Sequence, residues 1–369
     1  MRESTRRALV FLACLAPATP GLGQTITVNY DAPTIDRWNY PFDSAPGYSE
    51  SASTFSALGQ EDAFAPTYTF DQRDSQMIVV WDTINQVPVL KGTCQYQIVS
   101  ATIRIGLMGD PPFIYDPTYD PRSTYLPGNV DPDPGRPVEL YGVGFRAGWT
   151  VGAPTQTNCP TGDGFPCYYE GDPDLAGPAF GPCICKDVRY AFPTDAIGGN
   201  LRDISNNVRD GFDPKPFCVG QIPGLNAGSI PAPNTDMVFT LNVADPDVQA
   251  YLQNAMNIGR LMLCLSSLQP ASSPGGPGSG SYAKFYCKEN PFAYSAAGGY
   301  NRRARLSLTV KVPQIVGDIN ADGIVNTLDL AIVLSHFGQA TSSGDVNCDG
   351  IVNTVDLAAL LSNFGKTAP

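Results

Sequence analysis

Near its C-terminal end the chain carries one short pattern twice. Gly317-Asp-Ile-Asn-Ala-Asp-Gly-Ile-Val-Asn-Thr-Leu-Asp-Leu-Ala-Ile-Val-Leu-Ser-His-Phe-Gly338 returns as Gly344-Asp-Val-Asn-Cys-Asp-Gly-Ile-Val-Asn-Thr-Val-Asp-Leu-Ala-Ala-Leu-Leu-Ser-Asn-Phe-Gly365, with 16 of 22 positions identical at an offset of 27 residues. A repeat this short cannot bury an apolar face alone, so the two copies must pack on each other. Each copy opens with oxygen-bearing side chains at fixed spacing. Asp318, Asn320, Asp322, the carbonyl of Ile324, Asn326 and Asp329 take positions 1, 3, 5, 7, 9 and 12 of the first loop. Asp345, Asn347, Asp349, the carbonyl of Ile351, Asn353 and Asp356 take the same positions of the second. Ca²⁺ is a hard cation that accepts six to eight oxygens at this spacing, with glycine at position 6 for the sharp turn. Gly323 and Gly350 stand there. Each loop gathers three carboxylates, which repel one another unless a cation joins them. Asp, Asn and Gly are also common turn formers. Two complete matches, each leading into a helical pattern, favour the ion, and the expectation is two Ca²⁺.

The helices are expected over Thr327 to Phe337 and Thr354 to Phe364. Leu330, Val333, Leu334 and Phe337, and Leu357, Leu360, Leu361 and Phe364, recur at i, i+3, i+4, i+7, which is one face of a helix. Gly338 and Gly365 stand where a C-terminal cap belongs. The two faces are expected to form one small core, closed by calcium, so that chelation unfolds it.

Two consecutive DxNxDGxxNxxD loops, each running directly into a helix, resemble the type I dockerin family over roughly the last 50 residues. The resemblance implies an all-α calcium module that docks an exported protein onto a cohesin-like partner, commonly in assemblies acting on plant polysaccharides. It implies that loop positions 10 and 11 help choose the partner, here Thr327 and Leu328, and Thr354 and Val355. One departure bears on that partner. Leu330 to Phe337 and Leu357 to Phe364 carry no Lys or Arg, where dockerins of assembled cellulase complexes often do. The expected partner is therefore a cohesin-like protein or a cell-surface component. His336 and Asn363 hold equivalent places, so His336, the chain's sole histidine, reads as a helix-end residue.

The other end reads as a secretory leader. Arg2, Arg6 and Arg7 precede the apolar run Ala8–Ala16, and small residues follow to Gly23. That run is too short to span a bilayer, and no other segment is long enough. Phe11-Leu12-Ala13-Cys14 offers a lipoprotein exit as a second reading. The expected division is 1–23 signal peptide, 24–313 β domain and 314–369 dockerin-like module, in a secreted or surface-held protein. The formal net charge is −12, and losing the leader removes more Arg than Glu. Such a chain repels nucleic acid and anionic lipid, and attracts cations.

Gly (37) and Pro (34) are abundant while charged residues are only 16%, which favours short strands and many turns. Strands are expected at Thr25–Tyr30, Gln76–Trp81, Gln95–Leu107, Val138–Phe145, Val188–Phe192, Met237–Val243, Arg260–Ser266 and Arg305–Val312. A helix is expected at Pro246–Met256, capped by Asp245. Short strands without regular strand–helix alternation argue for a jelly-roll-like β-sandwich. Cys94, Cys159, Cys167, Cys183, Cys185, Cys218, Cys264 and Cys287 read as disulfides in an exported protein, while Cys348 is either a thiol or a ninth partner. Residues 109–135, 155–182 and 270–280 read as long irregular insertions.

Function is less constrained here. Arg202-Asp-Ile-Ser-Asn-Asn-Val208 and Pro246-Asp-Val-Gln-Ala-Tyr-Leu252 resemble the front part of uncharacterised exported dockerin-bearing proteins. That likeness implies no activity. The favoured role is carbohydrate binding or surface structure, with Tyr115, Tyr119, Tyr125 and Trp149 as candidate sugar-stacking rings or loop fillers. The alternative is a dockerin-tethered glycoside hydrolase, for which Asp82, Glu139 and Glu170 are candidate carboxylates that no motif selects. The lone histidine argues against a Ser-His-Asp mechanism, the reading leans away from an enzyme, and catalytic residues stay unassigned. Asp110, Asp116, Asp120, Asp131 and Asp133 could make a further calcium site, but they lack ligand spacing and stand before prolines, so they read as turn initiators.

Overall fold

A computed structural model describes residues 24–40, 48–62, 70–129, 131–146, 191–271, 280–313, 315–320, 322–341 and 343–367. The expected leader over residues 1–23, Trp149, Glu170 and Cys159, Cys167, Cys183 and Cys185 lie outside them. The chain divides into two compact units, one of Thr25–Val312 and one containing Pro313–Pro369.

The first unit is built from strands β1 (Gln24–Tyr30), β2 (Ile35–Asn39), β3 (Ser51–Thr54), β4 (Gln76–Asp82), β5 (Gln97–Gly106), β6 (Val138–Phe145), β7 (Ala191–Thr194), β8 (Cys218–Val219), β9 (Asp236–Thr240), β10 (Arg260–Ser267), β11 (Ala283–Tyr286), β12 (Tyr294–Ser295), β13 (Tyr300–Asn301) and β14 (Arg305–Val312). One antiparallel sheet runs β1-β14-β5-β9, the other β2-β4-β10-β6-β7. Counting only β1, β4, β5, β6, β7, β9, β10 and β14, the orders become 1-8-3-6 and 2-7-4-5. These are the two interleaved Greek keys of a jelly roll. The eight strands expected from sequence are these eight. The start of the expected Val188–Phe192 strand lies outside the described residues.

Burial explains why these segments pair. β14 alternates, with Leu306, Leu308, Val310 and Val312 inward and its other side chains more exposed. β4 and β10 are buried on both faces and read as continuous apolar runs. From β10, Leu261, Leu263 and Leu265 enter the main core, while Met262 and Cys264 enter a second cluster with Ile78 and Val80. Helix α1 (Asn207–Asp210) is a single turn. Helix α2 (Pro246–Ile258) starts at Asp245, whose carboxylate accepts the Asp247 N–H, and ends at Gly259 with φ 80°. Its Val248, Leu252, Ala255 and Met256 pack into the main core. Gly142 is required beneath it, because a Cβ there would stand 2.6 Å from the Tyr251 ring. That ring places its hydroxyl between two strands, donating to Met262 O (2.7 Å) and accepting from Val143 N (2.8 Å).

The cysteines need correction. Cys94 and Cys348 each take part in a disulfide, so Cys348 is no thiol. Cys218, Cys264 and Cys287 are not in disulfides. Cys264 and Cys287 occupy different apolar clusters. Burial raises the Cys218 thiol far above its ordinary pKa.

The second unit carries helices α3 (Thr327–Ser335) and α4 (Thr354–Leu361). Its core is Val325, Val333, Val346, Val352 and Leu360, with Leu330 and Leu357 packed against it. The expected helix faces are only half right. Leu334, Phe337, Leu361 and Phe364 are 44–54% exposed. Valines from the loops take the space expected for them, because the loops fold back over the helix starts.

Candidate metal centre

Each loop is ordered by its own carboxylates. In the first, Asp318 Oδ1 accepts from Asp322 N (3.0 Å) and Oδ2 from Gly323 N (2.9 Å). Gly323 has φ 88° and Gly350 φ 89°, a left-handed turn that glycine adopts without strain. Asp329 Oδ1 accepts from Ile319 N (2.7 Å) and Asn320 N (3.1 Å), and Oδ2 accepts from Asn326 N (2.9 Å). The short position-12 Asp thus reaches loop amides at positions 2, 3 and 9. Each carboxylate oxygen has two lone pairs, so Oδ2 retains one for a cation. Asn326 accepts from Leu328 N (2.7 Å) and, with Asp329, makes a capping box on α3. The ligand spacing and the helix start are therefore one feature.

The second loop repeats these bonds. Asp345 accepts from Asp349 N (3.1 Å) and Gly350 N (2.9 Å). Asp356 accepts from Val346 N, Asn347 N and Asn353 N at 2.7, 3.0 and 2.7 Å. Asn353 caps α4 by the same box. Asp345 and Asp356 are buried and Asp349 is exposed, and one oxygen from each lies within 4.8 Å of the others. Oxygen is the only donor in either set, as calcium requires. Burial, with Asp329 and Asp322 nearby, raises the Asp318 pKa, while hydrogen bonds led by the Asn347 amide lower that of Asp349.

The repeats close on each other reciprocally. Gly338 N, after α3, donates to Val352 O of the second loop (2.7 Å), and Val352 N donates to Gln339 O (3.0 Å). Gly365 N, after α4, donates to Val325 O of the first loop (2.8 Å), and Val325 N donates to Lys366 O (3.1 Å). An Ile324–Thr367 bridge extends this pairing on one side. Gly317 and Gly344 permit the close approach, since Cβ atoms there would lie 2.9 Å from Leu360 Cα and 3.2 Å from Val333 Cα. This reciprocity was invisible in either repeat alone, although the valines at loop position 8 were its signal. His336 sits at the α3 end, where its Nδ1 approaches Ile332 O at 3.0 Å.

Thr327 and Thr354 begin the helices and are exposed. Beside them Leu328 and Val355 are 60% and 53% exposed, so both copies present the same apolar step to solvent. Elsewhere, Tyr115 is not a sugar platform. It is 2% exposed, and its hydroxyl accepts from Ile222 N (2.8 Å). Tyr119 is half-buried, and Tyr125 is half-buried beneath the Arg136 guanidinium, 4.5 Å from its ring. Glu139 is buried against Arg73 at 2.6 Å, and Asp82 is paired with Arg260 at 2.6 Å. They align with Ser266 and Arg260 of β10, six residues apart, which is roughly 20 Å along a strand. That exceeds the separation of a glycosidase pair.

A pseudo-symmetric pair of oxygen-lined loops, each capping its own helix, defines a paired loop–helix metal module. The model of the type I dockerin domain matches residues 316–365, so this segment is similar to a family of calcium-binding modules. A solved chain titled "Type II cohesin-dockerin domain from Bacteroides cellolosolvens" is 42% identical, covering 14% of this chain and 87% of its own, with a TM-score of 0.14. No curated protein matches the chain. Among the described residues no helix is long and apolar enough to cross a membrane.

Proposed function

We propose that this is an exported protein whose dockerin module binds two Ca²⁺ and docks onto a cohesin-like protein or surface component, presenting a jelly roll that binds carbohydrate or serves surface structure. The observation that carries it is the repeated loop in which ligand spacing, capping box and reciprocal pairing coincide. Asp318, Asn320, Asp322, the Ile324 carbonyl, Asn326 and Asp329 would hold one ion. Asp345, Asn347, Asp349, the Ile351 carbonyl, Asn353 and Asp356 would hold the other. The ions neutralise carboxylates that otherwise repel, so the loops and their helix starts become dependent on calcium.

Hydrogen exchange of the full chain tests this. In excess chelator the amides of Ile319, Val325, Val346 and Val352 should lose protection while β4 and β10 keep theirs. Unchanged protection in the loops would sink the calcium reading.

Docking rests on the duplicated exposed step. Either Thr327-Leu328 or Thr354-Val355 can then face the partner. Leu328→Asp alone should leave binding to a purified cohesin panel nearly intact, and Leu328→Asp with Val355→Asp should weaken it by more than ~100-fold, the scale of losing central apolar anchors. Equal binding by the double variant would place the contact elsewhere. Jelly rolls commonly serve as lectin-like domains, which supports the carbohydrate reading. Co-sedimentation of the full chain with insoluble polysaccharides, with soluble sugar assayed, separates binding from hydrolysis and from a purely structural role.

A further inference from the structure

The connection between β5 and β6 carries the Asp-Pro steps expected to initiate turns. The structure brings three of those carboxylates together. Asp116 and Asp120 are 2% and 4% exposed, Asp133 is half-buried, and one oxygen from each lies within 4.8 Å of the other two. The backbone enforces this. Gly135 has φ 110°, and a Cβ there would stand 2.9 Å from Ile114 O and 3.0 Å from Asp116 Cβ. Only glycine lets the turn carrying Asp133 lie against Asp116.

The local positive charge does not balance the group. Arg136 Nη1 is 3.0 Å from Asp120 Oδ2 and also contacts Asp131. Tyr125 donates to the same Asp120 oxygen at 3.1 Å. On the other side, Thr118 Oγ1 lies 2.6 Å from Asp116 Oδ1 and 2.8 Å from Asp133 Oδ2. A hydroxyl has one proton to donate, so one of these carboxylates is left facing an oxygen. The Thr118 N–H also donates to Asp116 Oδ1, at 2.8 Å. The second oxygen, Asp116 Oδ2, is buried and has no hydrogen-bond partner.

We propose that Asp116, Asp120 and Asp133 bind a divalent cation, Ca²⁺ by its donor class, at a site in the β5–β6 connection separate from the paired loops. Carboxylate and hydroxyl oxygens without nitrogen or sulfur select a hard ion. The cation takes up the unpartnered Asp116 oxygen and joins Asp116, early in the connection, to Asp133 at its end. It thereby pins an irregular segment that would otherwise rest on turn chemistry alone.

Calcium stoichiometry of the full chain tests the proposal. Asp329→Ala with Asp356→Ala removes the repeat loops from the count. In that background the chain should retain about one ion, and adding Asp116→Asn should abolish it or weaken it by more than ~10-fold. If the triple variant does not fold, Asp133→Asn replaces Asp116→Asn, since Asp133 is less buried. Retention of the ion by the folded triple variant, or no ion in the double variant, overturns the site. Asp116→Asn raising thermal stability with no change in calcium would show instead that a shared proton holds the cluster together.

Discussion

Asp36 in β2 is fully buried, and the Lys288 N–H donates to its Oδ2 at 2.7 Å. Burial pushes its carboxyl up to about 7, against the pull of the Lys288 ammonium and with a push from Glu289. A raised acid pKa means that the folded state holds the proton more tightly than the unfolded chain. This contribution is largest below about pH 4 and is lost as pH rises towards 7. Asp36→Asn should therefore stabilise the jelly roll at pH 8 by on the order of 2 kcal/mol and add little at pH 4. Urea midpoints of variant and parent at the two pH values check it, and equal differences would refute the buried-acid account. Glycines divide by a similar argument. Gly350 has φ 89° with open space around it, so Gly350→Ala should cost about 1–2 kcal/mol of backbone strain. Gly317, with φ 95°, also faces Leu360 Cα, so Gly317→Ala should cost about 1–3 kcal/mol more. Thermal denaturation of the two variants orders them.

At the scale of elements, the reciprocal pairing makes a selective prediction. Ending the chain after Gly365 deletes the Lys366 carbonyl and the Thr367 bridge that hold the first loop. The Val325 amide should then exchange freely while Val352, held by Gln339, stays protected. Equal loss at both would mean that the loops open together. The eight jelly-roll strands were legible because each is apolar or alternates. β2 was not, since Asp36, Arg37 and Asn39 are buried polar residues that hide a strand behind loop-like composition. β3, Ser51–Thr54, has no large apolar side chain at all. The fixed spacing of oxygen-bearing side chains in the loops was legible residue by residue. The burial of the helices was not, because periodicity assigns an apolar face without saying which part a returning loop will cover. The Asp116 cluster was hidden by sequence separation, and only the turn at Gly135 joins its ends.

At the scale of the whole molecule, two compact units with separate cores should unfold separately. Calcium that binds only folded protein raises each transition in proportion to ln(1 + [Ca²⁺]/Kd). Asp356→Ala should lower the calcium response of one calorimetric transition and Asp116→Asn that of the other. A variant that shifts both would show the units to be coupled.

The sheet order β1-β14 also fixes a sequence of events in time. β1 hydrogen-bonds to the last strand of its unit, and the first metal loop hydrogen-bonds to residues 365–367. A chain synthesised N-terminus first presents each of these early segments long before its partner arrives. Neither unit can complete its hydrogen bonding until its final residues leave the ribosome. Folding is thereby delayed until synthesis is nearly finished, and β1 waits longest for its neighbour, making it the place where a chaperone or a stray strand would compete.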